Sequence, residues 1–118
     1  MKKILVAEDN DSNFILMTYI LRKFYEFDRA KNGLEAVEMV ENNKYDVVLM
    51  DIKMPIMDGM EATKKIKERH PDLPIIAVTA NAFDSDRQMA FDAGCDDFLA
   101  KPISSEHCLN TIKNLIGE

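Results

Sequence analysis

Short continuous apolar runs alternate along this chain with stretches in which apolar side chains recur at helical spacing. The first run, Ile4–Ala7, stops at Glu8 and Asp9. Phe14, Met17, Leu21 and Phe24 then fall on one face of a helix over residues 13–24, with Ser12 placed to cap its start. Residues 26–30 read as a weak second strand, and Asn32-Gly33 is a turn signal before a second helix marked by Leu34, Val37 and Val40. Asp46–Met50 (DVVLM) is apolar apart from its first residue and ends at Asp51. Pro55 and Gly59 punctuate the loop that follows, and a third helix runs to about Arg69. Pro71 and Pro74 bracket a turn, after which Ile75–Val78 is another buried strand ending at Thr79. A helix around residues 84–92 stops at Gly94, with Asp84 as its simplest N-cap. Phe98–Ala100 is a fifth strand ending at Lys101-Pro102, and the last helix carries Cys108, Ile112, Leu115 and Ile116 on one face.

The pattern is five βα units in succession. Fully apolar strands separated by helices imply a parallel sheet covered on both faces, wound with right-handed crossovers. Sites in such sheets lie beyond the carboxyl ends of the strands. The residues just after strands one, three, four and five are therefore the ones to inspect for chemistry.

Composition narrows the picture. The 118 residues fit a single domain, 1–118, and with 47% hydrophobic residues a core forms without staples. A net charge of −6 argues against direct nucleic-acid binding through a basic face. Cys95 and Cys108, with no CxxC, suggest reduced thiols in a cytoplasmic protein rather than a disulfide framework or a zinc site. The apolar stretch after Lys2 and Lys3 is too short for a signal peptide, and no apolar run approaches the ~20 residues of a membrane span.

Each inspected strand end carries a polar residue: Glu8 and Asp9, then Asp51, Thr79 and Lys101. Three carboxylates at one rim would repel each other, and a hard divalent cation such as magnesium, or manganese, resolves the conflict through oxygen ligands. A backbone carbonyl in the loop after Asp51 could add another ligand. A carboxylate can also act as a nucleophile and form an aspartyl phosphate. Phosphoryl transfer then needs charge neutralised on the equatorial oxygens, which the cation, the Lys101 ammonium and the Thr79 hydroxyl can share. Each residue alone is weak evidence; their joint occurrence in this order is not.

The segments ILVAEDN (4–10), DVVLMDIKMPIMDG (46–59), PIIAVTA (74–80) and FLAKP (98–102) closely resemble response-regulator receiver domains of two-component signalling. The resemblance covers essentially the whole chain and extends to receivers fused to hybrid histidine kinases. It implies a flavodoxin-like (βα)5 fold, α/β, with a five-stranded parallel sheet in the order 2-1-3-4-5. It implies that Asp51 accepts a phosphoryl group from a histidine kinase or a histidine phosphotransfer domain. It further implies that Asp9 ligates magnesium directly, Glu8 through water and Lys53 through its backbone carbonyl. Thr79 and Lys101 would contact the phosphoryl group, and Phe98 would turn inward as Thr79 moves toward it. On this pattern the chain is a signalling domain whose only chemistry is its own phosphorylation and dephosphorylation, not a turnover enzyme. Whether it stays monomeric or forms a homodimer on phosphorylation is left open. Its end soon after the last helix favours a receiver excised from a larger protein over a free-standing one.

Other features carry weaker expectations. Lys53 and Asn81 stand two residues beyond Asp51 and Thr79 and would influence the lifetime of the phosphoryl group. Phe83 could lie on the output face. Met54 and Met57 are core residues or part of a partner surface. The first helix, apolar at Phe14, Ile15, Leu16, Met17, Ile20, Leu21 and Phe24, is either deeply buried or docks a phosphotransfer helix. His70 and His107 are helix-end or solvated residues. Two rival functions fit poorly. A magnesium-dependent phosphatase would need an acid where Lys53 stands, and an FMN phosphate would be repelled by Glu8 and Asp9.

Overall fold

Valine, isoleucine and leucine crowd the strands so densely that the strands must be covered on both sides. β3 (Val47–Asp51) and β4 (Ile75–Thr79) are buried at every position, and β1 (Lys3–Ala7) at every position after the first. The computed structural model describes residues 1–80 and 84–117. These residues form five parallel strands in the order β2-β1-β3-β4-β5. The inner strands carry charge only at their ends, Lys3 and Asp51, whereas the edge strands β2 (Glu26–Ala30) and β5 (Asp97–Ala100) are short and more polar. An edge strand has solvent along one side and tolerates polar residues, which is why β2 reads weakly in the sequence.

Alternation along each strand divides the core into two layers. Ile4 and Val6 pack with Met17, Ile20 and Leu21 of α1 (Asp11–Leu21) and with Cys108 and Ile112 of α5 (Ser105–Ile116). Leu5 and Ala7 face the other way. They pack with Ala36 and Val40 of α2 (Gly33–Asn42), Ala62 and Ile66 of α3 (Gly59–Arg69) and Ala90 of α4 (Asp84–Ala93). The flavodoxin-like sandwich expected from the sequence is therefore the fold observed.

The helix boundaries depart from expectation in instructive ways. Asn10, not Ser12, caps α1: its side chain accepts from the Asn13 N–H at 3.0 Å. The helix ends at Leu21, so Phe24 lies beyond it, largely exposed. On α2 the buried positions are Gly33, Ala36 and Val40, whereas Leu34 faces solvent; the helix start lies so close to the backbone carbonyls of Met57 and Asp58 that a Cβ at Gly33 would collide with them. Asn32 is the cap of α2 rather than simply a turn residue; its Oδ1 accepts from the Glu35 N–H while Glu35 Oε1 accepts from the Lys31 N–H. On α5, Leu115 and Ile116 are half-buried. His70 ends α3 and His107 is exposed, as expected. Met54 and Met57 are half-buried against the second core layer. The expected roles of Asn81, Phe83 and the Asp84 side chain fall outside the described residues.

Gly59 opens α3 instead of punctuating the loop before it. Its N–H donates to the Ile52 carbonyl at 2.8 Å, and a Cβ there would collide with the backbone carbonyl of Asp51. This close approach pins the loop that carries Lys53 against the end of β3. Gly59→Ala is expected to destabilise the domain by about 1–3 kcal/mol through overpacking. Urea denaturation of the purified variant checks this, and an unchanged midpoint would contradict it.

Candidate functional site

Parallel pairing in register is what assembles the rim. Ala7 pairs with Met50, Asp51 with Val78 and Thr79 with Ala100, so the chain leaves β1, β3, β4 and β5 at one level. Glu8 and Asp9 follow β1 directly, Asp51 and Thr79 are the last residues of their strands, and Lys101 follows β5. The Lys101 N–H donates to the Thr79 carbonyl at 2.7 Å, tying the last two strand ends together.

The expected carboxylates do meet. Glu8, Asp9 and Asp51 each bring one oxygen within 4.8 Å of the others. Their surroundings differ sharply: Glu8 is 0% exposed and Asp51 6%, whereas Asp9 faces solvent. Lys101 lies between the buried pair, its Nζ 3.1 Å from Glu8 Oε1 and 3.5 Å from Asp51 Oδ1. Glu8 Oε2 accepts from the Asn10 N–H at 3.3 Å. Glu8 Oε1 receives charge from Lys101 but no hydrogen bond of acceptable geometry among the described residues. A fully buried carboxylate oxygen met only by the shared Lys101 ammonium, beside two further carboxylates, suits a hard oxygen-seeking divalent cation.

Burial pushes the Asp51 carboxyl up to about 7; the facing Glu8 carboxyl adds to the rise and Lys101 opposes it. The remaining expected residues take these places. Thr79 is buried at the end of β4, and Lys53 is exposed in the β3–α3 loop, two residues past Asp51. Phe98 is half-buried on β5, level with Ala77 and packed against the second core layer. Sequence reasoning passed over Arg29, which also reaches this rim from β2 and donates to the carbonyls of Glu8 and Asp9. The signal was the alternation of β2, which sets Arg29 on the same face as Phe27.

Beside the rim runs a groove of about 270 Å³ lined by Asn13, Leu16, Met17, Lys101, Pro102 and Ile103. The outer face of α1 next to it exposes Ile15, Leu16 and Tyr19. The helix is therefore not deeply buried: it buries one stripe and leaves an apolar face in solvent. A wider depression lies at the opposite end of the sheet, where Glu41 pairs with Arg69 and His70; none of the expected site residues line it. No helix among the described residues is long and apolar enough to cross a membrane.

The chain and its fold match known proteins closely. The family model described as the response regulator receiver domain matches residues 4–113. The polar-differentiation response regulator DivK of Brucella anthropi is 37% identical over 122 residues, covering 99% of this chain and 98% of that protein. The receiver domain of the sensor histidine kinase PA1611 of Pseudomonas aeruginosa, solved with a magnesium ion in its active-site cleft, superposes with a TM-score of 0.93 at 36% identity, covering 99% and 98% of the two chains. The receiver domain of Ssk1 of Saccharomyces cerevisiae, crystallised with the histidine phosphotransfer protein Ypd1, superposes with a TM-score of 0.90 at 28% identity, covering 97% and 88%. The chain belongs to the response-regulator receiver family, the signalling domains of two-component systems.

The raised Asp51 carboxyl makes metal-free stability depend on pH. Between about 4 and about 7 the folded state keeps a proton on Asp51 that the unfolded chain has released, so stability falls as pH rises through that window. Asp51→Asn is expected to flatten the dependence and to raise stability above neutral pH by on the order of 2 kcal/mol. Thermal melting in EDTA across that range measures it; a parallel pH profile in the variant would refute the assignment.

Proposed function

We propose that this chain, read as one receiver domain over 1–118, carries a phosphoryl group on Asp51. The observation that carries this reading is the position of Asp51 Oδ1. It stands at the rim with the Lys101 ammonium 3.5 Å away and the carboxylates of Glu8 and Asp9 beside it. The donor is the phosphohistidine of a histidine kinase or a histidine phosphotransfer protein. An Asp51 oxygen attacks the phosphorus in line; the new P–O bond forms as the P–N bond breaks, and the departing imidazole takes up a proton. Lys101 is placed to exchange its contact with Asp51 for one with the phosphoryl oxygens, and Thr79 to donate its hydroxyl to another.

Glu8, Asp9, Asp51 and the backbone carbonyl of Lys53 would hold magnesium or manganese. When bound, that cation neutralises charge on the carboxylates and on the transferring phosphoryl group. Its binding also favours the ionised form of Asp51, the form that can act as nucleophile. The phosphorylated product adds charge and acceptor oxygens at the rim. Thr79 is drawn toward it and Phe98 moves into the space behind. Both arrangements pre-exist, and phosphorylation shifts their populations. The domain acts in the cytoplasm, and its only chemistry is its own phosphorylation and dephosphorylation.

The apolar face of α1 supports a docking site for the donor. Ile15, Leu16 and Tyr19 are exposed beside the groove that leads to Lys101, the arrangement an amphipathic helix of a phosphotransfer protein would cover.

Two outcomes test this reading. Asp51→Asn is expected to abolish labelling by acetyl phosphate with magnesium, read as intact mass; normal labelling of that variant would overturn the assignment. Leu16→Asp is expected to slow transfer from a phosphotransfer protein by about tenfold or more, as for an interfacial anchor, while leaving acetyl phosphate labelling unchanged. Equal losses with both donors would place the effect in the rim instead of at the docking face.

A further inference from the structure

β2 alternates so that Phe27 and Arg29 face α1 while Asp28 and Ala30 face away. Arg29 lies level with Val6, one residue before the strand ends, and its guanidinium stacks 4.5 Å over the ring of Phe14. From there it reaches across the top of β1. Nε donates to the Glu8 carbonyl at 3.0 Å and Nη2 to the Asp9 carbonyl at 3.3 Å. Nη2 also pairs with Asp11 Oδ1 at 2.9 Å. The Arg29 side chain is 17% exposed and that of Asp11 79%, so the ion pair is largely solvent-screened while the guanidinium is mostly withdrawn from water. The best-shielded contact is therefore the Nε bond to the Glu8 carbonyl, which the longer Nη2 bond extends to the next carbonyl, that of Asp9. A planar fork spans the two carbonyls as a flexible ammonium does not.

We propose that Arg29 is a positioning residue for the divalent-cation site, an inference that rests on the reading of that site given above. Its guanidinium fixes the main chain at Glu8 and Asp9, which sets their carboxylates toward Asp51. It also holds Asp11, the third acid of this segment, outside the cluster that Glu8, Asp9 and Asp51 form. The Glu8 N–H, donating to the Ala30 carbonyl at 2.9 Å, anchors the same turn from the other side of β2.

The proposal makes a prediction opposite in sign to that of bare electrostatics. As a point charge beside three carboxylates, Arg29 repels a divalent cation, and removing it would tighten binding. As a clamp on the loop, it strengthens binding, and removing it weakens binding. Magnesium affinity measured by isothermal titration calorimetry on the purified protein separates the two. Arg29→Ala is expected to weaken binding by about tenfold, in the range seen when groups that orient metal ligands are lost. Arg29→Lys keeps the charge and the fold but not the fork, and is expected to weaken binding severalfold. Asp11→Asn is expected to leave affinity within about twofold, since its ion pair is exposed. Affinity equal to or tighter than wild type in the folded Arg29 variants would overturn the proposal, even if their urea midpoints fell. A loss in Asp11→Asn as large as that in Arg29→Ala would overturn the role given to the carbonyls. Should Arg29→Ala not fold, the lysine variant decides. Wild-type protein that takes up no magnesium would overturn the metal-site reading itself, an outcome distinct from equal binding by wild type and variant.

Discussion

Glu8 and Asp51 are two carboxylates withdrawn from water at the same rim, and with a single ammonium between them their charges do not balance. Removing one carboxylate from water is costly, and removing two that face each other costs more. Lys101 offsets part of that cost, and protonation of Asp51 offsets more when no cation is bound. The site is consequently short of positive charge, and a bound cation or an added phosphoryl group changes its balance. The proposed phosphoryl transfer depends on this poise: Asp51 must be ionised when a donor arrives, and the product must alter its surroundings once formed.

Such a conflict persists only if the scaffold is rigid. The sheet supplies that rigidity. β1, β3 and β4 are buried on both faces, and the two core layers hold them from opposite sides. Because the strands are parallel and in register, the crowded charges are confined to one end of the sheet, where loops carry them. Gly59 packed on the Asp51 carbonyl, Asn10 capping α1 and Arg29 spanning the carbonyls of Glu8 and Asp9 each fix one of those loops. The helix that begins at the rim, α1, buries Met17, Ile20 and Leu21 and keeps Ile15, Leu16 and Tyr19 in solvent, so an exposed apolar face lies beside the acidic rim.

The strands are most legible in the sequence where their residues are most uniform. Ile4–Ala7, the run before Asp51 and Ile75–Val78 are apolar throughout because both faces are covered, and uniform burial leaves an unambiguous mark. β2 was weak because an edge strand mixes Glu26, Asp28 and Arg29 with Phe27. The errors lay at helix ends. Phe24 continues the spacing of α1 but stands after its last turn, and Ser12 is as good a cap by type as Asn10. Leu34 has the right spacing for a core stripe, yet Gly33 and Ala36 occupy the tight contact that spacing alone assigned to leucine. Spacing reports which residues share a face, not which face meets the sheet.

By itself the sequence determined the order of strands and helices, the class of fold, the family, and the polar residues that follow each strand. These follow from local regularities: continuous apolar runs in the buried strands, a repeat of three or four in helices, and short motifs that survive without their surroundings. Tertiary structure alone decided that Glu8 is buried while its neighbour Asp9 is not, and that Lys101 lies between Glu8 and Asp51. It also decided that Asp51 is pushed toward neutral pH, and that Arg29 joins the rim from an edge strand. Desolvation, ion pairing and backbone clamping arise between residues far apart in the chain. They depend on distances of a few ångströms that no local pattern encodes.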